Sequence, residues 1–340
     1  MRAAFAIALL GLVACSNEPG AHWQQETALE AGQKLGGCVV ADLDRSNPGD
    51  EIAVVAEDGS VYVATRSGGL WSSTRIAELP GEMIQIAAAD VTQEFAGAEL
   101  FTVGISEGGE DSGGPGALWF HSHAAAGWHS EQIFEDPQLL HAVCIGDIDP
   151  DSPGLEVLVA GYSRDVSLLY RVGGAWTPRR VGVLPAEAKG AASDGDWTVV
   201  VCTDGSVVRL VSDGDDLELE TIGACDDAAA RVAVRDGVVL VCANDGALRK
   251  IDGEISVIYQ STDRLRGAVW GEFNPTGAGI EAATAGYDGK VTVHVGTKVQ
   301  VIGTDTDKFH HLAAGNIDGL GTALVACGYS GRVLVHSLTK

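Results

Sequence analysis

Residues 139–171 read LLHAVCIGDIDPDSPGLEVLVAGYSRDVSLLYR, and the way this stretch divides decides the fold. Three short apolar runs rich in Val, Leu, Ile and Tyr are separated by the acidic turn from Asp149 to Gly154 and by Gly161-Tyr162-Ser163. Runs of that length between Gly, Pro and Asp clusters are strand signals and not helix signals.

Degraded copies of the unit fill the chain. The second strand with its turn recurs as EIAVVAEDGSV, ELFTVGISEGG, EVLVAGYSRDV, TVVVCTDGSV, VVLVCANDGAL, EAATAGYDGKV and ALVACGYSGRV. The residues closing the preceding strand are Asp42, Asp90, Asp147, Asp194, Asp236, Glu272 and Asn316, at intervals of 48, 57, 47, 42, 36 and 44 residues. Four strands per period of this size predict an all-β, seven-bladed β-propeller over residues 21–340. The longest interval holds a Gly-rich polar insertion at 106–116, expected to be a loop. A fourth strand follows only six of the blades. The missing copy is AHWQQETAL at 21–29, so an N-terminal outer strand should join the last blade and close the ring, removing the exposed seam.

The first residues are a targeting segment and not part of the fold. Arg2 precedes an apolar run from Ala3 to Val13, too short for a stable transmembrane helix. Leu12-Val13-Ala14-Cys15 resembles the lipobox of bacterial lipoproteins. That resemblance implies a signal peptide over 1–14, lipidation of Cys15, a short tether at 15–20 and an outer-membrane location, since Ser16 and not Asp follows the cysteine. An ordinary secretory signal is the alternative. The domain would then contact the membrane through its lipid anchor only.

A net charge of -25 argues against nucleic acid as a partner, because nucleic-acid binding depends on Lys and Arg meeting phosphates. Besides Cys15 there are Cys38, Cys144, Cys202, Cys225, Cys242 and Cys327, with no CxxC spacing. Five lie in apolar strands and read as small buried hydrophobes. Cys225, in a turn, is the one most suited to bond.

The repeats resemble the FG-GAP and VCBS type of propeller repeat found in integrin heads and bacterial surface proteins. The residues that carry the resemblance are Asp42-Leu-Asp44 with Gly49-Asp-Glu51, Asp147-Ile-Asp149-Pro-Asp151 with Gly154-Leu-Glu156, and Asn316-Ile-Asp318-Gly319. It implies that such loops bind Ca²⁺, for which Asp147, Asp149 and Asp151 supply alternating carboxylates. Pro150 and Pro153 depart from the pattern, and Asx-type turns are the alternative use of the same residues. No cofactor is otherwise required.

In a propeller, the start of each inner strand and the turn between the second and third strands share one face. This places His141, Arg266 and His310, with Lys189 and Arg231 near the equivalent positions, beside Tyr162, Arg164, Tyr287 and Tyr329 around one mouth of the central channel. In an acidic protein such a rim is a local cationic focus. It suits a protein partner or an anionic, carbohydrate-like ligand whose carboxylate Arg266 can grip. A monomeric binding module is expected. The enzyme alternative is a polysaccharide lyase or hydrolase using His and Tyr as acid and base, as seven-bladed lyases do. The purely structural alternative treats the histidines as struts, as in WD-type propellers. Two other patterns lack their context: Gly104-Ile-Ser-Glu-Gly108 has no strand-to-helix elbow, and His121, His123 and His129 have no carboxylate nearby to complete a metal set.

Overall fold

The computed structural model of the chain describes residues 22–339, apart from 93, 96, 107–113, 214–215 and 274–279. The proposed leader at 1–14, Cys15, the tether at 15–20 and most of the 106–116 insertion therefore lie outside the described residues. Among the described residues the regular elements are all strands, arranged as seven four-stranded antiparallel sheets. Six sheets use consecutive strands. The seventh runs inward from Trp23–Glu30 through Arg332–Leu338 and Gly321–Gly328 to Phe309–Ile317. The seven-bladed ring, closed by the N-terminal strand, is as expected. Among the described residues no helix is long and apolar enough to cross a membrane.

The second strand of each blade is almost wholly buried, as in Glu51–Ala56 and Glu156–Gly161, whereas the fourth alternates and faces solvent, as in Leu70–Glu78. That gradient is the consequence of stacking sheets face to face around an axis. Apolar side chains collect in clusters filled from pairs of neighbouring blades: Ala142, Leu158 and Leu168 of blade 3 meet Val200, Val208 and Leu210 of blade 4. Stability is thus shared between seven nearest-neighbour interfaces.

The turns between second and third strands demand positive φ at one position. Glycine fills it at Gly59, Gly205, Gly246, Gly289 and Gly331, with φ between 68° and 91°. In blade 3 the slot is taken by Arg164 at φ 69°. Its guanidinium donates to the Pro185 carbonyl at 3.4 Å, and Arg164 is not among the residues that line the pockets of that face.

The closing strand is held on both sides. It pairs antiparallel with Arg332–Leu338, Trp23 opposite Leu338 and Glu30 opposite Arg332. Glu26 accepts from Arg66 Nε at 3.1 Å and from Trp71 Nε1 at 2.8 Å, both on blade 1. Arg66 also donates to the Asp318 carbonyl of blade 7 at 2.8 Å, so one guanidinium spans the seam.

The acidic loops are latched by a glutamate that opens the second strand. Glu51 Oε2 accepts from the backbone N–H groups of Leu43 and Asp44, Glu99 from Val91 and Thr92, Glu156 from Ile148 and Asp149, and Glu281 from Phe273. All four are buried. Around Asp147, Asp149 and Asp151 the carboxylates do not converge. Asp149 Oδ2 accepts from Tyr170 at 2.7 Å and Arg179 at 3.1 Å, while Oδ1 accepts the Asp151 N–H in an Asx-type turn. Among the described residues no group of three His, Cys, Asp or Glu side chains is set to hold a metal.

Candidate functional site

Every inner strand begins with the same irregularity. The register with the second strand slips between the first paired residue and the one two further on: Met83/Gln85, Leu140/Ala142, Ala188/Gly190, Ala229/Arg231, Leu265/Gly267 and Phe309/His311. In blade 1 the slip is one residue longer, from Leu35 to Cys38. Such a bulge re-aims side chains, and here it creates two tiers. The bulged residues are Ile84, His141, Lys189, Ala230, Arg266 and His310, at the mouth. The residues just beyond, Cys38, Gln85, Ala142, Gly190, Arg231, Gly267 and His311, form one ring around the channel. Arg231 therefore belongs to the inner tier, and Ala230 holds the position equivalent to His141.

At the mouth, each tyrosine expected there is in place and packed against a cation. The Lys189 ammonium donates to the Tyr162 hydroxyl and lies 4.6 Å from that ring's centroid. Arg266 and Lys308 approach Tyr287 at 4.8 and 4.9 Å, and Lys34 approaches Tyr329 at 4.9 Å. Tyr287 and Tyr329 are joined through their hydroxyls at 3.1 Å. His141 stacks on Tyr162 with centroids 6.2 Å apart, and His310 on Tyr329 at 5.5 Å. His310 Nδ1 also lies 3.0 Å from the Gly36 carbonyl oxygen.

Residues of blades 3 to 7 surround a pocket of 280 Å³ lined by Lys189, Arg231, Arg264, Arg266, both histidines and Tyr287, with no carboxylate among its lining residues. A smaller pocket of 90 Å³ adjoins it on the side of blades 1 and 2, where Glu57 and Glu82 stand beside His141, His310 and Tyr329. The mouth is polarised, cationic over blades 4 to 6 and acidic over blades 1 and 2.

Crowding of like charges away from water sets the protonation states. Burial, then Arg231 and Arg266, pull the Lys189 ammonium down to about 8. Burial, with Arg266 next, brings Arg231 down to about 10. His141 and His310 are pushed well below the ordinary histidine value by burial and by the neighbouring cations, so both rings are neutral at pH 7. Burial raises Glu82, with Glu57 adding repulsion.

Beneath the mouth the inner tier carries a polar crossbar. With its amide oxygen toward blade 5, Gln85 accepts from Arg231 Nε and Nη2 at 2.7 and 2.6 Å, and its nitrogen donates to His311 Nε2 at 3.3 Å. Arg231 Nη1 donates to the Lys189 and Ala230 carbonyls at 3.0 and 2.8 Å, so its donors are committed to the scaffold. The channel cavity has a volume of 320 Å³ and is walled by the inner strands of all seven blades.

Sequence reading had no hold on Gln85, Cys38, His311, Lys34, Arg264, Lys308 or Glu82. A constant offset from the bulge would have found them. The other motifs resolve locally. Ser106 donates its hydroxyl to the Pro115 carbonyl at 3.0 Å, and Gly108 lies outside the described residues. His121 is buried between Thr102 at 3.0 Å and Ser130 at 2.7 Å, while His123 stacks on Trp128 and His129 is exposed, so the three imidazoles do not act together. Cys225 is buried, and the six described cysteines are all free thiols.

No protein-family model matches the sequence, and no curated protein does. Among solved structures the chain is similar to the crystal structure of the WD40 beta propeller domain of Doa1, at 15% identity and a TM-score of 0.69, covering 94% of this chain and 98% of that one. At that identity the likeness establishes a shared propeller architecture and nothing about what is bound.

Proposed function

We propose that the protein is a non-catalytic binding propeller whose cationic mouth takes a carboxylate-bearing, carbohydrate-like ligand. One observation carries this reading: Lys189, Arg231, Arg264 and Arg266 gather without a lining carboxylate, in a protein of net charge -25. Holding like charges together costs stability, and an incoming anion relieves that cost. Arg231 contributes field only, because its donors are used. Lys189 and Arg266 are the groups we assign to the ligand, and the neutral histidines and tyrosines frame it. A protein partner presenting acidic side chains is the other occupant of the same chemistry. Titration calorimetry with uronic-acid oligosaccharides tests the reading; saturable binding that Arg266→Ala weakens at least about tenfold is expected.

A lyase reading is favoured by one feature, the Lys189 amine pulled down to about 8 beside the Tyr162 hydroxyl, which suits a general base. Against it, burial raises Tyr162. Release of unsaturated product from a uronic-acid polymer, lost in Lys189→Met, would replace the binding reading. We further propose that the chain is exported and held at the outer membrane by acylation of Cys15; mass spectrometry of the N-terminal peptide from the membrane fraction tests this.

A further inference from the structure

The two pockets of the mouth carry opposite charge, and the wall they share is His141 and His310, which line both. On the cationic side Arg266 donates Nη1 to the Leu265 carbonyl at 3.0 Å and rests on Tyr287, and no carboxylate among the described residues pairs with it. On the acidic side stand Glu57 and Glu82. Lys34 pairs with Glu57 at 3.4 Å. Glu82, repelled by Glu57, has no hydrogen-bond or ion-pair partner among the described residues. The fold therefore leaves one charge of each sign without a partner at a single opening. A simple anion would answer only one of them.

Two observations describe what lies between these charges. Tyr287 and Tyr329, with ring centroids 5.8 Å apart, separate Arg266 on the first ring from Lys34 and Glu57 beside the second. The opposite charges are thus not neighbours. A ligand that meets both must carry its own charges apart, across a ring and not on one carbon. The second observation is His141 itself. It is 8% exposed, it lines both pockets, and its Nδ1 is buried with no hydrogen-bond partner. Buried polar groups are rarely left so. A hydroxyl, which can donate or accept, suits an imidazole to which the fold gives no partner.

We propose that the mouth takes a zwitterionic sugar acid, an amino-uronic acid whose carboxylate meets Arg266 and Lys189 and whose ammonium meets Glu82. This rests on the mouth being an anion site, and it adds the second charge. In such a sugar the carboxylate and the amine stand across the pyranose ring from each other with hydroxyls between them. That order matches the cationic pocket, the histidine wall and the acidic pocket. N-acetylation would remove the ammonium and leave Glu82 unmet.

The test titrates three probes into the full chain at pH 7 by calorimetry: glucosaminuronic acid, its N-acetyl derivative, and glucosamine. Both acids should bind, the free amine at least about tenfold tighter than the N-acetyl form, and glucosamine should bind weakest. In Glu82→Gln, with folding checked by circular dichroism, the ratio between the two acids should fall below about threefold. Arg266→Ala should weaken both acids. Equal affinity for the two acids would overturn the zwitterion proposal and leave the anion site standing. So would a preference that survives Glu82→Gln, which would reflect the bulk of the acetyl group and not charge. Failure of both acids to bind would overturn the two readings together.

Discussion

Lys189, at the bulge of blade 4, donates its ammonium to the hydroxyl of Tyr162 on blade 3 and lies 4.6 Å from the centroid of the same ring. Its other charged neighbours are Arg231 and Arg266, which repel it, and Glu187, which steadies it. The charge of this amine is therefore poised. Anion affinity should fall as pH rises through about 8, where the ammonium is lost. Lys189→Arg, which stays charged, should bind with no loss up to pH 9. Calorimetric titrations at pH 7 and 9 compare the two; a wild-type affinity that rises with pH would contradict the assignment.

The glutamate latches give a second prediction. Glu51, Glu99 and Glu156 are all raised, chiefly by burial. A carboxyl whose folded value lies above its unfolded one binds a proton more tightly when folded, so it adds stability as pH falls through the folded value and takes it away as pH rises. Glu156→Gln removes one such group. Its thermal midpoint should vary less steeply between pH 5 and 7 than that of the wild type. Glu156→Ala, which strands the Ile148 and Asp149 N–H groups, should cost about 1–3 kcal/mol in denaturant unfolding.

Those latches also show where the sequence was legible. Strand runs, turn glycines and the orphan N-terminal strand are local or periodic signals, and seven blades with the closed seam follow from them. The tyrosines, His141, Arg266 and His310 fall where the repeat spacing puts them. The acidic loops were open to two uses because calcium ligation and backbone capping employ the same carboxylates. Arg179 and Tyr170 reach Asp149 from outside the loop, a contact that no spacing within the loop announces. The Gln85–Arg231–His311 crossbar joins blades 2, 5 and 7, and no spacing along the chain connects them.

Arg164 occupies a turn position that glycine fills in five other blades. Relief of positive-φ strain, set against the greater freedom of glycine in the unfolded chain, should make Arg164→Gly more stable by up to about 1 kcal/mol. Because its guanidinium points to Pro185, ligand affinity should be unchanged. Denaturant midpoints and calorimetry read the two quantities separately; weakened binding would return Arg164 to the mouth.

Glu26 concentrates the clasp between the closing strand and blade 1. Glu26→Ala leaves Arg66 and Trp71 without their shared acceptor, and a loss of about 1–3 kcal/mol is expected. Deletion of residues 22–30, which also uncovers the last blade's edge and removes buried Ala28 and Leu29, should lower the thermal midpoint much further. A deletion variant that melts with the wild type would contradict the closure.

The claim that the mouth is an anion site is tested most directly by titrating a uronic-acid oligosaccharide into the wild type and Arg266→Ala at low and high salt. The account predicts saturable binding by the wild type that weakens as salt rises, and an affinity at least about tenfold lower, with a shallower salt dependence, in the variant. Equal affinity of the two proteins, or binding indifferent to salt, would contradict it.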